Sequence, residues 1–183
     1  MSLARIRIAA RLLAVAAMAA LTAGCFQPMY AEHSDGTPGL RDKLLGVEVP
    51  PVDKPNGSPE ARIGVEIRNA LAFKLYGNAT GMAPTHKLVL RFNISRSSLI
   101  VSQATGLPTT ENVGIDAQFN LIEIASNKSV MTGTTFSRTS YDMPGSYQRF
   151  ARARALRDAE DRAAQEIAER IQTRVASFFV AGT

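Results

Sequence analysis

Apolar residues recur every fourth position at Ile63, Ile67, Leu71 and Leu75, a spacing that lines one face of an α-helix. Val65, Ala70 and Phe73 are expected to widen that stripe. Ser58 supplies an N-cap and Pro59 a first helical residue that needs no N–H, while Gly77-Asn78 ends the run. From Leu88 the period changes to two. Leu88, Leu90, Phe92 and Ile94 alternate with Val89, Arg91, Asn93 and Ser95, the pattern of a strand with one buried face. A second strand carries Val113, Ile115, Ala117, Phe119 and Leu121, and its phase switches at Ile122 and Ile124, which predicts a bulge. After a turn at Ser126-Asn127-Lys128-Ser129, Val130, Thr132, Thr134 and Phe136 form a Thr-rich strand suited to a sheet edge or a contact face.

A long helix is expected from about Ser146 to Phe179, with Leu156, Ala159 or Ala163, Ile167, Ile171, Val175 and Phe178 as its core stripe. At 1.5 Å per residue it would run about 50 Å, so its first turns should project beyond a small sheet or bend. Leu44-Leu45-Gly46-Val47-Glu48-Val49, closed by Pro50-Pro51, reads as a short first strand. The order β-α-β-β-β-α predicts an α+β two-layer sandwich. Its four-stranded, mostly antiparallel sheet would carry two helices on one face.

The N-terminal segment changes the picture from a plain globular domain. Arg5, Arg7 and Arg11 precede the apolar or small residues 12–24, and Cys25 follows Ala23-Gly24. That is a secretory signal whose 13-residue run is shorter than the roughly 20 needed to span a membrane. A lone cysteine directly after Ala-Gly is the arrangement of a bacterial lipobox, so Cys25 is expected to be acylated and to become the mature N-terminus. Acyl chains would then hold the protein to a membrane, two or three of them firmly where one binds marginally. Phe26 stands where enterobacterial lipoproteins retained in the inner membrane carry Asp, which favours the outer membrane. Three segments result: residues 1–24 as cleaved signal, 25–43 as lipidated tether and 44–183 as one α+β domain.

The precursor's net charge of +5 is partly the signal's. Subtracting its three arginines from 21 basic against 16 acidic residues leaves +2, so no nucleic-acid partner is implied. The two histidines, His33 and His86, have no metal-ligand spacing, and His33-Ser34-Asp35 lies in a Pro/Gly-rich stretch that could not hold a catalytic geometry. No catalytic residue, metal or cofactor is expected. Arg149, Arg152, Arg154 and Arg157 cluster where the helix dipole favours acids, which leaves their partner open.

The segment Cys25-Phe26-Gln27-Pro28-Met29-Tyr30-Ala31 resembles the mature start of LptE-family LPS-assembly lipoproteins of the alphaproteobacterial type, which typically read Cys-Gly-Phe-x-Pro-Leu-Tyr-Gly. The element order and the long last helix are also similar to that family. The resemblance implies a plug inside the outer-membrane β-barrel LptD, helping to assemble it and to insert lipopolysaccharide. Phe26, Pro28 and Tyr30 would lie near the barrel wall or the lipid interface. The rival expectation is a periplasm-facing lipoprotein of a lipid transporter that binds an apolar ligand or docks on a permease. An internal apolar cavity would favour that rival, and a filled core the plug. For lipopolysaccharide itself, cations near apolar groups are needed, and Arg91, Arg96, Lys128 and Arg138 at sheet faces and strand ends are the expected contacts. The arginine cluster of the last helix, beside Tyr147 and Phe150, is the second choice.

Overall fold

The computed structural model describes residues 38–77, 82–103, 105–143 and 148–181. Cys25, Phe26, Pro28, Tyr30 and His33 therefore lie outside the described residues, as does Tyr147. In chain order the elements are α1 (Leu40–Leu45), β1 (Val47–Glu48), α2 (Pro59–Tyr76), β2 (His86–Val101), β3 (Pro108–Glu123), β4 (Lys128–Asp142) and α3 (Arg149–Ala181). The sheet has the order β1-β2-β3-β4, with β1 parallel to β2 and the other pairs antiparallel. It is the α+β arrangement expected, with one short helix more.

That extra helix corrects the first strand. Leu44 and Leu45 are helical, and only Val47–Glu48 pairs with the sheet, opposite His86 and Lys87. Pro50 and Pro51 follow after Val49, and with no N–H to give, the chain cannot extend the ladder.

α2 begins where the sequence says it should. Ser58 Oγ accepts from Ala61 N at 3.0 Å, and Gly77, at φ 60°, closes the last turn on Phe73 O. Ile63, Ile67 and Leu71 are fully buried, joined by Gly64, Ala70 and Leu75. Val65 and Phe73 do not widen the stripe: they are 57% and 66% exposed. At 100° per residue both lie well round the helix from the Ile67–Leu71 line, so their hydrophobicity could not place them.

The alternation of β2 and β3 holds. Leu88, Leu90 and Phe92 meet Val113, Ile115, Ala117, Phe119 and Leu121 on the helix side, all buried. The register slips between Leu121 and Ile122, the bulge that the phase change predicts. Gly133 faces Phe119 across the ladder, and a Cβ there would stand 2.4 Å from the ring tip. β4 is the sheet edge, but its buried set is Thr135, Ser137, Thr139 and Tyr141 while Phe136 faces out. The sheet therefore offers α3 a row of hydroxyls, and Ser137 Oγ donates to Glu166.

α3 buries Ala159, Ala163, Ala164, Ile167, Ala168, Ile171, Val175 and Ala176. Phe179, rather than Phe178, closes its stripe, and Leu156 is only half-buried, in a first part of the helix whose residues before Ala159 are mostly exposed. α3 also covers the free edge of β4. Arg174 donates to Thr134 O at 2.7 Å, Arg162 to Ser140 O at 3.3 Å, and Arg170 to Phe136 O. An open edge is a template for another chain, and these guanidiniums occupy its carbonyls. Replacing Arg170 and Arg174 together with alanine should raise concentration-dependent self-association in light scattering. A variant that stays monomeric at every concentration would show that the caps do not guard the edge.

Candidate binding face

Helices cover one face of the sheet; no described element covers the other. Its rows run Val89–Asn120–Thr132, Arg91–Gln118–Thr134 and Asn93–Asp116–Phe136 across the three long strands. The chain between β1 and α2 stands beside this face. Lys54 Nζ donates to Phe92 O at 2.9 Å and lies 4.8 Å from the centre of that ring, while Val52 packs against Gly64. Pro50–Lys54 and the outer sheet face enclose an open groove of about 780 Å³, floored by Arg91, Asn93, Gln118 and Thr134. Amide, hydroxyl and guanidinium groups there can hydrogen-bond a polar ligand. Phe136, 56% exposed, adds an apolar surface between the guanidiniums of Arg138 (5.5 Å) and Arg170 (5.4 Å).

The four expected cations do not converge. Arg91 is exposed on the groove floor and forms no ion pair among the described residues. Lys128 starts β4 opposite Glu123 at the hairpin tip, about 30 Å along the sheet from Arg96 by strand rise. Arg138 is on the outer face, held bidentately by Asp116 at 2.8 and 3.0 Å and donating to Ser137 O. Arg96 points to the helix side, where its Nη2 is 2.7 Å from Glu160 Oε1.

That last contact is part of a tie that sequence reading missed. Glu160 of α3 is 3% exposed and takes a guanidinium from each side, Arg62 of α2 and Arg96 of β2. Arg62 also donates to Asp161 at 2.8 Å. Burial works against the Arg62 charge, but its hydrogen bond to Asp161 and the charges of Glu160 and Asp161 outweigh it and raise its pKa. The signal was available: Glu160 falls four residues after Leu156 and seven before Ile167, on the apolar stripe itself. A second tie joins β3, β4 and α3, where Tyr141 Oη donates to Glu111 and Arg152 Nη2 lies 3.6 Å from the same carboxylate. Burial first, then this hydrogen bond, pushes the Tyr141 hydroxyl up to about 12.

His86, at the start of β2, contacts Phe179 edge-on at 5.1 Å and Thr85 Oγ1 through Nδ1 at 2.9 Å. Burial lowers its pKa, with Glu123 opposing. The folded state therefore prefers the neutral ring, so its contribution is complete above the ordinary histidine pKa of about 6.5 and is lost as pH falls through the lowered folded value. Thermal melts should show a smaller fall in stability on acidification in His86→Gln than in the parent chain. Identical pH profiles would remove His86 from the account.

Among the described residues no group of three or more His, Cys, Asp or Glu side chains could hold a metal ion. Fold and site together define an α+β domain with one covered and one open sheet face. The chain belongs to the LptE family, described as lipopolysaccharide-assembly, whose family model matches residues 44–175. No curated protein matches the chain. Among solved structures, it is similar to a protein from Caulobacter crescentus CB15 described as a lipoprotein, at TM-score 0.63 and 20% identity over 79% of this chain and 97% of that one. It is also similar to rare lipoprotein B from Shewanella oneidensis, at TM-score 0.51 and 17% identity over 74% and 96%. Lipoprotein B from Nitrosomonas europaea gives TM-score 0.51 and 13% identity over 74% and 83%. At these identities the likeness is one of fold; the family model is what agrees with the family expected from the Cys25–Ala31 segment.

Proposed function

We propose that this chain is an outer-membrane lipoprotein that plugs the LPS-translocating barrel LptD, helps to assemble it, and aids lipopolysaccharide insertion. The family match across residues 44–175 carries this reading. In this scheme residues 1–24 are removed, acyl chains on Cys25 anchor the tether 25–43, and the domain 44–183 enters the barrel from the periplasmic side. Among the described residues no helix is long and apolar enough to cross a membrane. Phe26, Pro28 and Tyr30 would meet the barrel wall or the lipid interface. The work is binding rather than catalysis, with neither cofactor nor nucleic acid.

The geometry favours the plug over a carrier of apolar ligand. Ile67, Leu71, Leu88, Ile115, Leu121, Ile167 and Ile171 are fully buried between sheet and helices, so the space a lipid would need is filled by side chains. The open face is polar, as suits the hydrated lumen of a barrel. Of the candidate lipopolysaccharide contacts, Arg91 and Lys128 are the ones whose charge is not already engaged by an ion pair among the described residues, whereas Arg96 and Arg138 hold carboxylates.

Affinity purification of the chain from outer membranes should recover the barrel, and Cys25→Ser should leave the precursor uncut. Reversing Arg91 and Lys128 together to glutamate should weaken lipopolysaccharide binding by roughly tenfold or more, at about 1.5–3 kcal/mol per hydrogen bond to a charged group, without loss of the barrel. Recovery of a permease in place of a barrel would overturn the plug.

A further inference from the structure

The β2–β3 hairpin ends in an apolar tip that the core does not use. Leu99, Ile100, Val101 and Leu107 are each more than half exposed, and the register slips on both sides of Ile100. Thr109 Oγ1 donates to Ile100 O at 3.3 Å, and Met143 N to Thr109 O at 2.8 Å, which brings the end of β4 to the base of the tip. The start of α3 stands at the same end, since Arg152 reaches Glu111, the partner of Ser98 across the ladder. Phe150 is 89% exposed there. Arg149 and Arg154 form no ion pair among the described residues, and α3 holds no acid before Asp158. Of the carboxylates that face this end, Glu111 is engaged by Tyr141 and Arg152, and Asp142, held only by the Thr110 hydroxyl, leaves one negative charge against the unpaired arginines.

We infer that this end of the domain, with Leu99, Ile100, Val101 and Leu107 of the hairpin, Phe150 and the arginines at the start of α3, docks on a membrane leaflet carrying anionic phospholipid headgroups. Arginines alone would be a solvated face, and an apolar tip alone would suit any apolar partner. Placed together, they match a leaflet in both respects. Leu, Ile, Val and Phe side chains reach the acyl boundary, and unbalanced guanidiniums meet phosphates at headgroup level. The open groove is not involved, because Arg91 and Pro50–Lys54 line the outer sheet face and not the tip. This inference concerns the domain outside the barrel and goes beyond the plug. The test below contains no barrel, so its failure leaves that reading standing.

The chain has no tryptophan, so Phe150→Trp in the full acylated chain gives a single emitter at the tip, at a position exposed enough to leave folding intact. Acyl chains bring the protein to every vesicle alike, and emission then reports the tip alone. With vesicles of phosphatidylcholine and phosphatidylglycerol the emission should shift to the blue and resist an aqueous quencher. Phosphatidylcholine alone should give neither effect. Adding Arg149→Gln and Arg154→Gln should raise the phosphatidylglycerol content needed, with apparent affinity falling roughly tenfold or more. High salt should weaken the response in the same direction. Ile100→Ser with Leu107→Ser should abolish the shift while leaving the melt unchanged. An unshifted emission, an equal shift on phosphatidylcholine alone, or a shift untouched by both pairs of substitutions overturns the inference. So does a shift seen only when lipopolysaccharide replaces phosphatidylglycerol, since the surface would then belong to the transported lipid.

Discussion

Replacing Arg62 and Arg96 together with methionine is expected to lower the unfolding free energy by about 3–5 kcal/mol, the range for removing the partners of a buried charge. The asymmetry of the tie sets this figure. Glu160 keeps 4% of its side chain exposed, while Arg62 and Arg96 keep 36% and 45%. Removing both guanidiniums strands a buried carboxylate between α2, β2 and α3. Removing the carboxylate instead, as in Glu160→Gln, leaves two half-exposed guanidiniums that water can solvate, so it should cost clearly less. Urea melts of the two variants test that order directly. A Glu160→Gln chain less stable than the double arginine variant would show that the tie acts by placing the arginines, not by satisfying the acid. Lipopolysaccharide binding by an Arg96 variant is informative only once this stability loss has been measured.

Ile167→Ala and Ile171→Ala should each cost about 2–5 kcal/mol. Both side chains are fully buried on α3, among small neighbours at Ala163, Ala164 and Ala168 that bring its backbone close to the sheet. Close packing leaves little room for surrounding groups to relax into the space of a lost side chain, so the cavity should remain largely open. The double variant would use up most of a typical stability of about 5–15 kcal/mol, and it should be partly unfolded by circular dichroism at room temperature. Each single variant should retain native spectra while melting earlier. If both singles melt within a few degrees of the parent, α3 is not what closes the core. The same comparison at Val65 or Phe73, which face solvent on α2, should give near-zero changes.

Several elements were legible in the order of residues because their causes are local. α2 was bounded to the residue by Ser58, Pro59 and Gly77, which act through backbone groups within one turn. β2 and β3 were legible through the period-two alternation, and the bulge at Leu121–Ile122 through the break in that alternation. The Cys25–Ala31 segment resembles the LptE family by motif, and a motif needs no fold at all. Hydrophobicity alone misplaces Val65, Phe73 and Phe178, because their angle round the helix turns them off its buried line. It also misleads where helix and strand compete over a few residues, as at Leu44–Leu45.

The candidate site divides differently. Residue types were readable in advance, yet their grouping was not. Arg91, Arg96, Lys128 and Arg138 looked equivalent as exposed cations, and the sheet register sends them to the groove floor, the helix side, a hairpin tip and an ion pair with Asp116. Glu160 lies on the apolar stripe of α3, but nothing in its spacing names Arg62 and Arg96 as its partners. What the sequence by itself determined is what short-range physics governs: the extent of α2, the alternation of β2 and β3, and the family. What only the tertiary structure decided is which charges meet. Arg62, Arg96 and Glu160 are 34 and 64 residues apart along the chain. Nothing local brings them together; the packing of α2 and α3 on one face of the sheet does, and burial then makes their pairing obligatory.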